Sequence, residues 1–236
     1  MQFVLPPPHL IYCHGFASGP QTTSKGQALR EQLGAAVSSM HIPDLQGEDF
    51  FTLTIDGMVE RLLACIAALP ADGAPVVLAG SSLGAWLCAW LASDSSIANF
   101  SQRIAGLILV APAFGFVSRW REMLGDDGVA AWRAAGQRDF FHYRSGSELA
   151  LGVGFLDSCS GLPDCPAPTT LPTLVIHGRR DEVASWRTAL AYAEGCTAAS
   201  FHLLDEGHSV DSLAATTFLI ERSRALLKQV QEHNLP

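Results

Sequence analysis

The chain has 236 residues, a formal net charge of −8 and a hydrophobic content of 48%, which fits one large globular domain or two small ones. The acidic balance and the lack of a basic stripe argue against nucleic acid as a partner. No stretch approaches the roughly 20 apolar residues of a membrane span, and residues 1–8 lack the basic and apolar regions of a secretory signal. We therefore expect a cytoplasmic protein without a membrane span.

The six cysteines form no C-x-x-C pair, and no H-E-x-x-H segment occurs. Cys13, Cys65 and Cys88 lie in apolar segments and are expected to be free, buried thiols. A bridge between Cys159 and Cys165 is an alternative, because the two residues could meet across a loop. We therefore expect no metal site.

Apolar runs alternate with amphipathic segments along the chain, which predicts parallel strands connected by helices. The first half contains strand 9–13, helix 24–35, strand 37–42, helix 53–69, strand 75–79, helix 84–92 and strand 104–111. The second half contains strand 173–177, helix 185–195, strand 200–204 and helix 211–230. With right-handed crossovers, these elements predict an α/β fold, a sheet of about six mostly parallel strands with helices on both faces. We expect a single domain over residues 1–236.

Residues 113–169 interrupt the alternation, and they are too many for a simple connection. Aromatic residues and glycines are frequent in this stretch, so we expect a cap inserted over the carboxyl ends of the strands. The aromatic side chains either form the core of the cap or line an apolar acyl pocket. The candidates are Phe114, Phe116, Trp120, Trp132, Phe140 and Phe141, of which the first three are the candidate substrate pocket.

A G-x-S-x-G sequence, Gly80–Gly84, directly follows the apolar run 75–79 and precedes the apolar segment 84–92. A strand, a tight turn and a helix are the context that confirms a nucleophile elbow. In such an elbow the central serine adopts a sparsely populated backbone conformation, and the flanking glycines avoid collisions with neighbouring elements. Ser82 is therefore the candidate nucleophile. A simple Gly/Ser turn that caps a helix is the alternative.

A serine hydroxyl needs a base at neutral pH, and the base needs an orienting carboxylate. In sheets of this type the chain order is serine, acid, histidine. Asp181 follows strand 173–177, and His208 follows strand 200–204. Asp181 could instead be a helix N-cap, and His208 a solvated loop residue.

Other side chains compete weakly for these two roles. Glu182 and Asp205 are the rival acids. His202 lies inside a strand, and His177, at a strand end, is interpreted as a packing residue. Ser82, Asp181 and His208 remain the preferred catalytic residues.

The tetrahedral intermediate of acyl transfer needs fixed hydrogen-bond donors for its oxyanion. The amide of Leu83, at the start of the helix after the elbow, is one candidate, and the helix dipole favours negative charge there. The loop after the first strand contains His14-Gly15-Phe16, and the amide of Phe16 is the second candidate. His14 and Gly15 are expected to support this loop, although His14 could be an ordinary turn residue.

Through these motifs the chain resembles the α/β-hydrolase superfamily. The His14–Phe16 loop, the Gly80–Gly84 elbow, the segment 177–181 and Gly207-His208 match its pattern in order. The sequence is similar to small intracellular serine hydrolases, which include bacterial HGFxSxP esterases and the mitochondrial acyl-protein thioesterase and acyl-glucuronide esterase group. One departure is Val183-Ala184, where the superfamily often has Val-Pro. The resemblance implies hydrolysis of esters or thioesters without a cofactor.

We therefore expect a carboxylesterase-like enzyme that acts on a small-molecule acyl ester through an acyl-serine intermediate. The serine at position 82 argues against the branches of the superfamily that use an aspartate or cysteine nucleophile. A thioesterase would use the same machinery. An aminopeptidase or amidase would need an acidic subsite, for which the candidates are Glu48, Asp49, Asp126 and Asp127. A non-catalytic binding protein on the same fold is the remaining alternative.

Overall fold

A computed structural model describes residues 6–94 and 102–233 of the chain. Residues 1–5, part of the segment in which no secretory signal is predicted, lie outside this description. The strands in chain order are β1 (His9–Cys13), β2 (Ser39–His41), β3 (Val76–Ser81), β4 (Ile104–Val110), β5 (Gln137–His142), β6 (Ser147–Gly152), β7 (Thr173–Gly178) and β8 (Ala199–Leu204). The α-helices are α1 (Ser24–Gln32), α2 (Ile55–Ala67), α3 (Leu83–Ser93), α4 (Phe116–Ala135), α5 (Gly154–Ser158), α6 (Trp186–Gly195) and α7 (Leu213–His233).

Six of the strands form one parallel sheet in the order β2-β1-β3-β4-β7-β8. The prediction of six parallel strands with helices between them is confirmed. Strand β2, at one edge of the sheet, has three residues where six were predicted. Helix α1 ends at Gln32, and Gly34 then adopts a φ of 50°, a conformation that favours glycine.

The side chains of the sheet alternate between two apolar layers, as the pleat of a strand requires. Leu10 and Tyr12 of β1 pack in the layer covered by α1 and α7. Ile11 and Cys13, their neighbours in the chain, pack in the layer covered by α2, α3 and α6. The central strands are therefore buried on both faces, which explains why the sequence shows continuous apolar runs there.

Strands β4 and β7 are connected by an inserted segment, residues 111–172. It contains α4, the antiparallel hairpin β5–β6 and the short helix α5. Helix α4 is interrupted at Gly125, where φ is 63° and ψ is 170°. Trp132 and Phe155 are buried in this segment and join the apolar layer on the α2 and α3 side. The segment thus packs as a continuation of the core.

Two expectations from the sequence concern membrane spans and disulfide bonds. None of the helices within residues 6–94 and 102–233 has the length and apolar character that crossing a bilayer requires. All six cysteines have free thiols, so the alternative bridge between Cys159 and Cys165 is absent.

Candidate active site

Ser82 lies in the turn between β3 and α3, with a φ of 53° and a ψ of −121°. A positive φ is unfavourable for a residue with a Cβ atom. Hydrogen bonds on both sides hold the residue in this conformation. Its amide donates to the carbonyl oxygen of Val110 at 3.0 Å, and its carbonyl oxygen accepts from the amide of Ala113 at 3.1 Å. The turn is therefore anchored to the end of β4.

The glycines on either side of Ser82 are required by close backbone approaches. A Cβ atom on Gly80 would lie 2.6 Å from the carbonyl carbon of Gly84. A Cβ atom on Gly84 would lie only 2.2 Å from the carbonyl oxygen of Cys13, in the neighbouring strand. Both distances are far below contact distance, so larger residues at these positions would separate α3 from the sheet.

Ser82, His208 and Asp181 are connected by two hydrogen bonds at the carboxyl edge of the sheet. The Ser82 Oγ atom lies 2.9 Å from Nε2 of His208. The Nδ1 atom of the same ring lies 2.8 Å from Oδ2 of Asp181. Because a carboxylate only accepts, Nδ1 carries the hydrogen and Nε2 can accept a proton from the serine hydroxyl. This arrangement can move a proton from Ser82 to the imidazole.

The carboxylate of Asp181 is completely buried and accepts several hydrogen bonds. Oδ1 accepts from the amides of Val183 and Ala184, both at 2.8 Å. Burial alone would raise the pKa of Asp181, but hydrogen bonds from His177 and His208 outweigh it and hold this pKa well below its usual range. Asp181 therefore stays charged and also caps the turn that follows it.

His177 contacts the same carboxylate, which the sequence analysis did not anticipate. Its Nε2 atom lies 3.0 Å from Oδ2 of Asp181 and 3.1 Å from the carbonyl oxygen of Ala184. The interpretation of His177 as a packing residue is therefore incomplete. The only signal in the sequence was the position of His177 near the end of β7, four residues before Asp181.

The side chains of the rival residues do not contact His208 in the described part of the chain. Asp205 is exposed and pairs with Arg179 and Arg180, at 2.7 and 3.1 Å. Glu182 is exposed, and its carbonyl oxygen accepts a hydrogen bond from Arg119 of α4. The ring of His202 packs against Phe218, in the apolar layer that α1 and α7 cover. These side chains form no hydrogen bond with His208 among the residues described.

His14 holds the loop after β1 in place with both nitrogens of its ring. Nδ1 donates to the carbonyl oxygen of Gly15 at 3.0 Å, and Nε2 accepts from the amide of Leu45 at 3.1 Å. Burial lowers the pKa of His14, which favours the neutral ring that these two bonds require. A protonated ring would lose the bond from Leu45, so the neutral form fixes the loop.

The two predicted oxyanion donors, the amides of Phe16 and Leu83, belong to residues that line the same cavity as Ser82. Leu83 is the first residue of α3, where amides have no partner inside the helix. No turn or loop hydrogen bond from either amide occurs within residues 6–94 and 102–233. Both amides are therefore available as donors.

A cavity of about 530 Å³ opens at Ser82 and His208. The three predicted pocket residues, Phe114, Phe116 and Trp120, line it. Trp132, Phe140 and Phe141 are not among the lining residues, which favours the alternative to an acyl pocket for them. Trp132 is buried in the core, Phe140 packs against Phe16 and Trp120, and Phe141 is exposed.

The cavity also has polar and charged walls that the sequence analysis did not predict. Lys25 donates to the carbonyl oxygen of Ser209, next to His208, at 2.5 Å. Arg119 contributes a second cation, and Met123 and Tyr143 contribute exposed apolar surface. None of these residues belongs to a motif, so only the tertiary structure places them at the site.

The side chain of Phe16 is surrounded by aromatic rings. Four ring centroids lie within 6 Å of its own, those of Trp120 at 5.1 Å, Phe50 at 5.5 Å, Phe155 at 5.6 Å and Phe140 at 5.7 Å. Three of these rings belong to the inserted segment. The amide of Arg144, in the loop of the β5–β6 hairpin, also donates to the carbonyl oxygen of Ala17 at 3.2 Å. The inserted segment thus packs directly on the loop that supplies the Phe16 amide.

No group of three or more histidine, cysteine, aspartate or glutamate side chains suited to a metal ion occurs in the described part of the chain.

Solved structures with this fold resemble the chain over almost its full length. Alpha/beta hydrolase domain-containing protein 10 from mouse is 20% identical with a TM-score of 0.76, and 94% of this chain and 90% of that one are covered. A putative hydrolase from Agrobacterium vitis is 21% identical with a TM-score of 0.77 and the same coverage. Est1E from Butyrivibrio proteoclasticus, solved with ferulic acid, is 18% identical with a TM-score of 0.73, covering 95% and 93%. The predicted α/β-hydrolase fold is confirmed.

Sequence comparison gives one result that covers most of the chain. No curated protein sequence matches it significantly. The model of an uncharacterised protein family, UPF0227, matches residues 9–216, which include all of the site described above. The chain therefore belongs to the uncharacterised protein family UPF0227.

Proposed function

We propose that the protein is a serine hydrolase that cleaves carboxylic esters through an acyl intermediate on Ser82. The observation that carries the proposal is the pair of hydrogen bonds that joins Ser82 to His208 and His208 to Asp181, at 2.9 and 2.8 Å. A charged, buried carboxylate at one end and a strained serine at the other are what nucleophilic catalysis by serine requires.

In the first half of the reaction, Nε2 of His208 takes the proton of Ser82 while Oγ attacks the ester carbonyl carbon. The amides of Phe16 and Leu83 would stabilise the oxyanion that forms. The bond between the carbonyl carbon and the alcohol oxygen then breaks, and His208 returns the proton to the departing alcohol. Asp181 stabilises the imidazolium between the two proton transfers.

In the second half, water attacks the acyl carbon and gives one proton to His208. The bond to Oγ breaks, Ser82 recovers the proton, and a carboxylic acid leaves. The apolar wall of the cavity, formed by Phe114, Phe116 and Trp120, supports an apolar acyl or alcohol group as the part of the substrate that is bound.

Thioesters would react by the same steps, and the leaving group alone separates the two activities. For an aminopeptidase or amidase, none of the four acids considered for an amine subsite lines the cavity, whereas Glu182 and Asp211 do. The four acids considered are Glu48, Asp49, Asp126 and Asp127. The similar solved structures include esterases and lipases, and this likeness supports hydrolysis at the level of the fold only.

The decisive experiment combines active-site labelling with a substrate series. A fluorophosphonate probe should label the wild-type protein and leave Ser82→Ala unlabelled. Turnover of p-nitrophenyl esters from acetate to palmitate, beside acyl-CoA thioesters, then gives chain length and leaving-group preference. His208→Ala should reduce turnover by orders of magnitude with the fold intact. His202→Ala, in the apolar layer covered by α1 and α7, should mainly affect stability. Labelling of Ser82→Ala, or no labelling of the wild type, would end the proposal.

A further inference from the structure

His177 combines complete burial with an incomplete set of hydrogen bonds. The residue has no solvent exposure, and it is the penultimate residue of β7. Its Nε2 atom faces two acceptors, Oδ2 of Asp181 at 3.0 Å and the carbonyl oxygen of Ala184 at 3.1 Å. Since both partners only accept, Nε2 carries the hydrogen. The other nitrogen, Nδ1, has no hydrogen-bond partner among the described residues.

A buried polar atom without a partner destabilises a folded protein. Packing alone therefore does not explain an imidazole at position 177. The benefit of the imidazole lies in the Nε2–H group, which donates to the carbonyl oxygen of Ala184 and lies 3.0 Å from the oxygen of Asp181 that also accepts from His208.

His177 also fixes the turn that carries the carboxylate. Ala184 donates its amide to Oδ1 of Asp181 at 2.8 Å, and its carbonyl oxygen accepts from His177. The imidazole therefore contacts both the carboxylate and the backbone that holds its other oxygen. With both oxygens occupied by N–H donors, the carboxylate cannot rotate about its χ2 bond without breaking a contact.

We propose that His177 is a positioning residue, which holds Oδ2 of Asp181 at the distance and angle that orient the imidazole of His208. The proposal rests on the proposed ester hydrolysis for its effect on turnover. His177 does not line the substrate cavity, so its effect on the reaction rate is indirect, through Asp181 and His208.

The test replaces His177 with residues that keep or remove the donor. His177→Phe retains a ring of similar size and removes both nitrogens. His177→Gln and His177→Asn both carry an amide, but only the longer glutamine brings its N–H group to the place of Nε2. His202→Phe, which changes a ring on the opposite face of the neighbouring strand, is the matched control.

We expect kcat of His177→Phe to fall about tenfold or more, since the N–H group beside a charged carboxylate has been lost, while KM changes little. His177→Gln should recover most of the loss, and His177→Asn should not. An unchanged kcat for His177→Phe would overturn the proposal. So would equal rates for the glutamine and asparagine variants, a comparison that remains valid if the phenylalanine variant does not fold.

A second readout separates this proposal from the proposed function. If the wild type hydrolyses no ester, the proposed function fails, and the low-field proton resonance of His208 Nδ1–H still reports on the geometry. That resonance should be sharp in the wild type and in His177→Gln, and shifted or lost in His177→Phe. Its retention in His177→Phe would show that Asp181 holds its position without His177.

Discussion

The backbone conformation of Ser82 can be tested separately from its chemistry. Ser82→Ala and Ser82→Gly both remove the hydroxyl and its hydrogen bond to His208, so those losses cancel when the two variants are compared. The remaining difference is the Cβ atom at a φ of 53°. Alanine keeps the strain of that conformation, and glycine relieves it.

The size of the difference follows from two opposing terms. A non-glycine residue in a sparsely populated region costs about 1–3 kcal/mol. Glycine loses more conformational freedom on folding, which costs about 0.4–1 kcal/mol relative to alanine. The difference leaves about 1 kcal/mol in favour of glycine, and for a chain of this length this corresponds to a rise of about 2–4 °C in melting temperature.

Calorimetry or circular dichroism during thermal unfolding can measure this difference. Ser200, an exposed residue inside β8, provides the matched control, because glycine is expected to be less stable than alanine in a strand. The order of the two variants should therefore reverse between positions 82 and 200. An alanine variant at position 82 that melts at or above the glycine variant would refute the argument for strain.

Two further predictions concern the packing of the elbow and the charge of the acid. Gly84→Ala should abolish folding or strongly lower the melting temperature, because its Cβ would lie 2.2 Å from a backbone oxygen. Gly207→Ala, the control, has open space around its Cβ and should fold normally. Equal melting temperatures of the two variants would contradict this explanation. The lowered pKa of Asp181 contributes stability that is present above the unfolded pKa, about 4, and is lost as the pH falls toward the folded value. Urea unfolding should therefore show a steeper loss of stability between pH 5 and 3 in the wild type than in Asp181→Asn, and parallel profiles would argue against this assignment.

The sequence predicts the sheet from its apolar runs. It also predicts the positions of Ser82, Asp181 and His208, because the motifs that contain them coincide with strand ends. Each of the three residues follows an apolar run, and the carboxyl ends of parallel strands meet at one edge. The chain order of serine, acid and histidine then limits the choice of partners.

The contact of His177 and the walls of the cavity could not be predicted in the same way. A histidine at the end of a buried strand has the same local sequence whether it packs or donates to a carboxylate four residues later. Trp132 and Phe140 pack against each other and against Trp120, so their places depend on how α4 meets the β5–β6 hairpin. This is a tertiary feature, which the aromatic content of the segment does not encode.

The cluster of rings around Phe16 has a consequence for any attempt to redesign the protein. Trp120 both lines the cavity and packs against the side chain of Phe16, whose backbone amide is a proposed oxyanion donor. A smaller residue at position 120 would therefore enlarge the cavity. It would also remove one of the ring contacts that hold the loop containing Phe16. For the proposed ester hydrolysis, substrate selectivity and rate are therefore coupled through Trp120, and a substitution meant to change one will alter the other unless the space beside Phe16 is filled again.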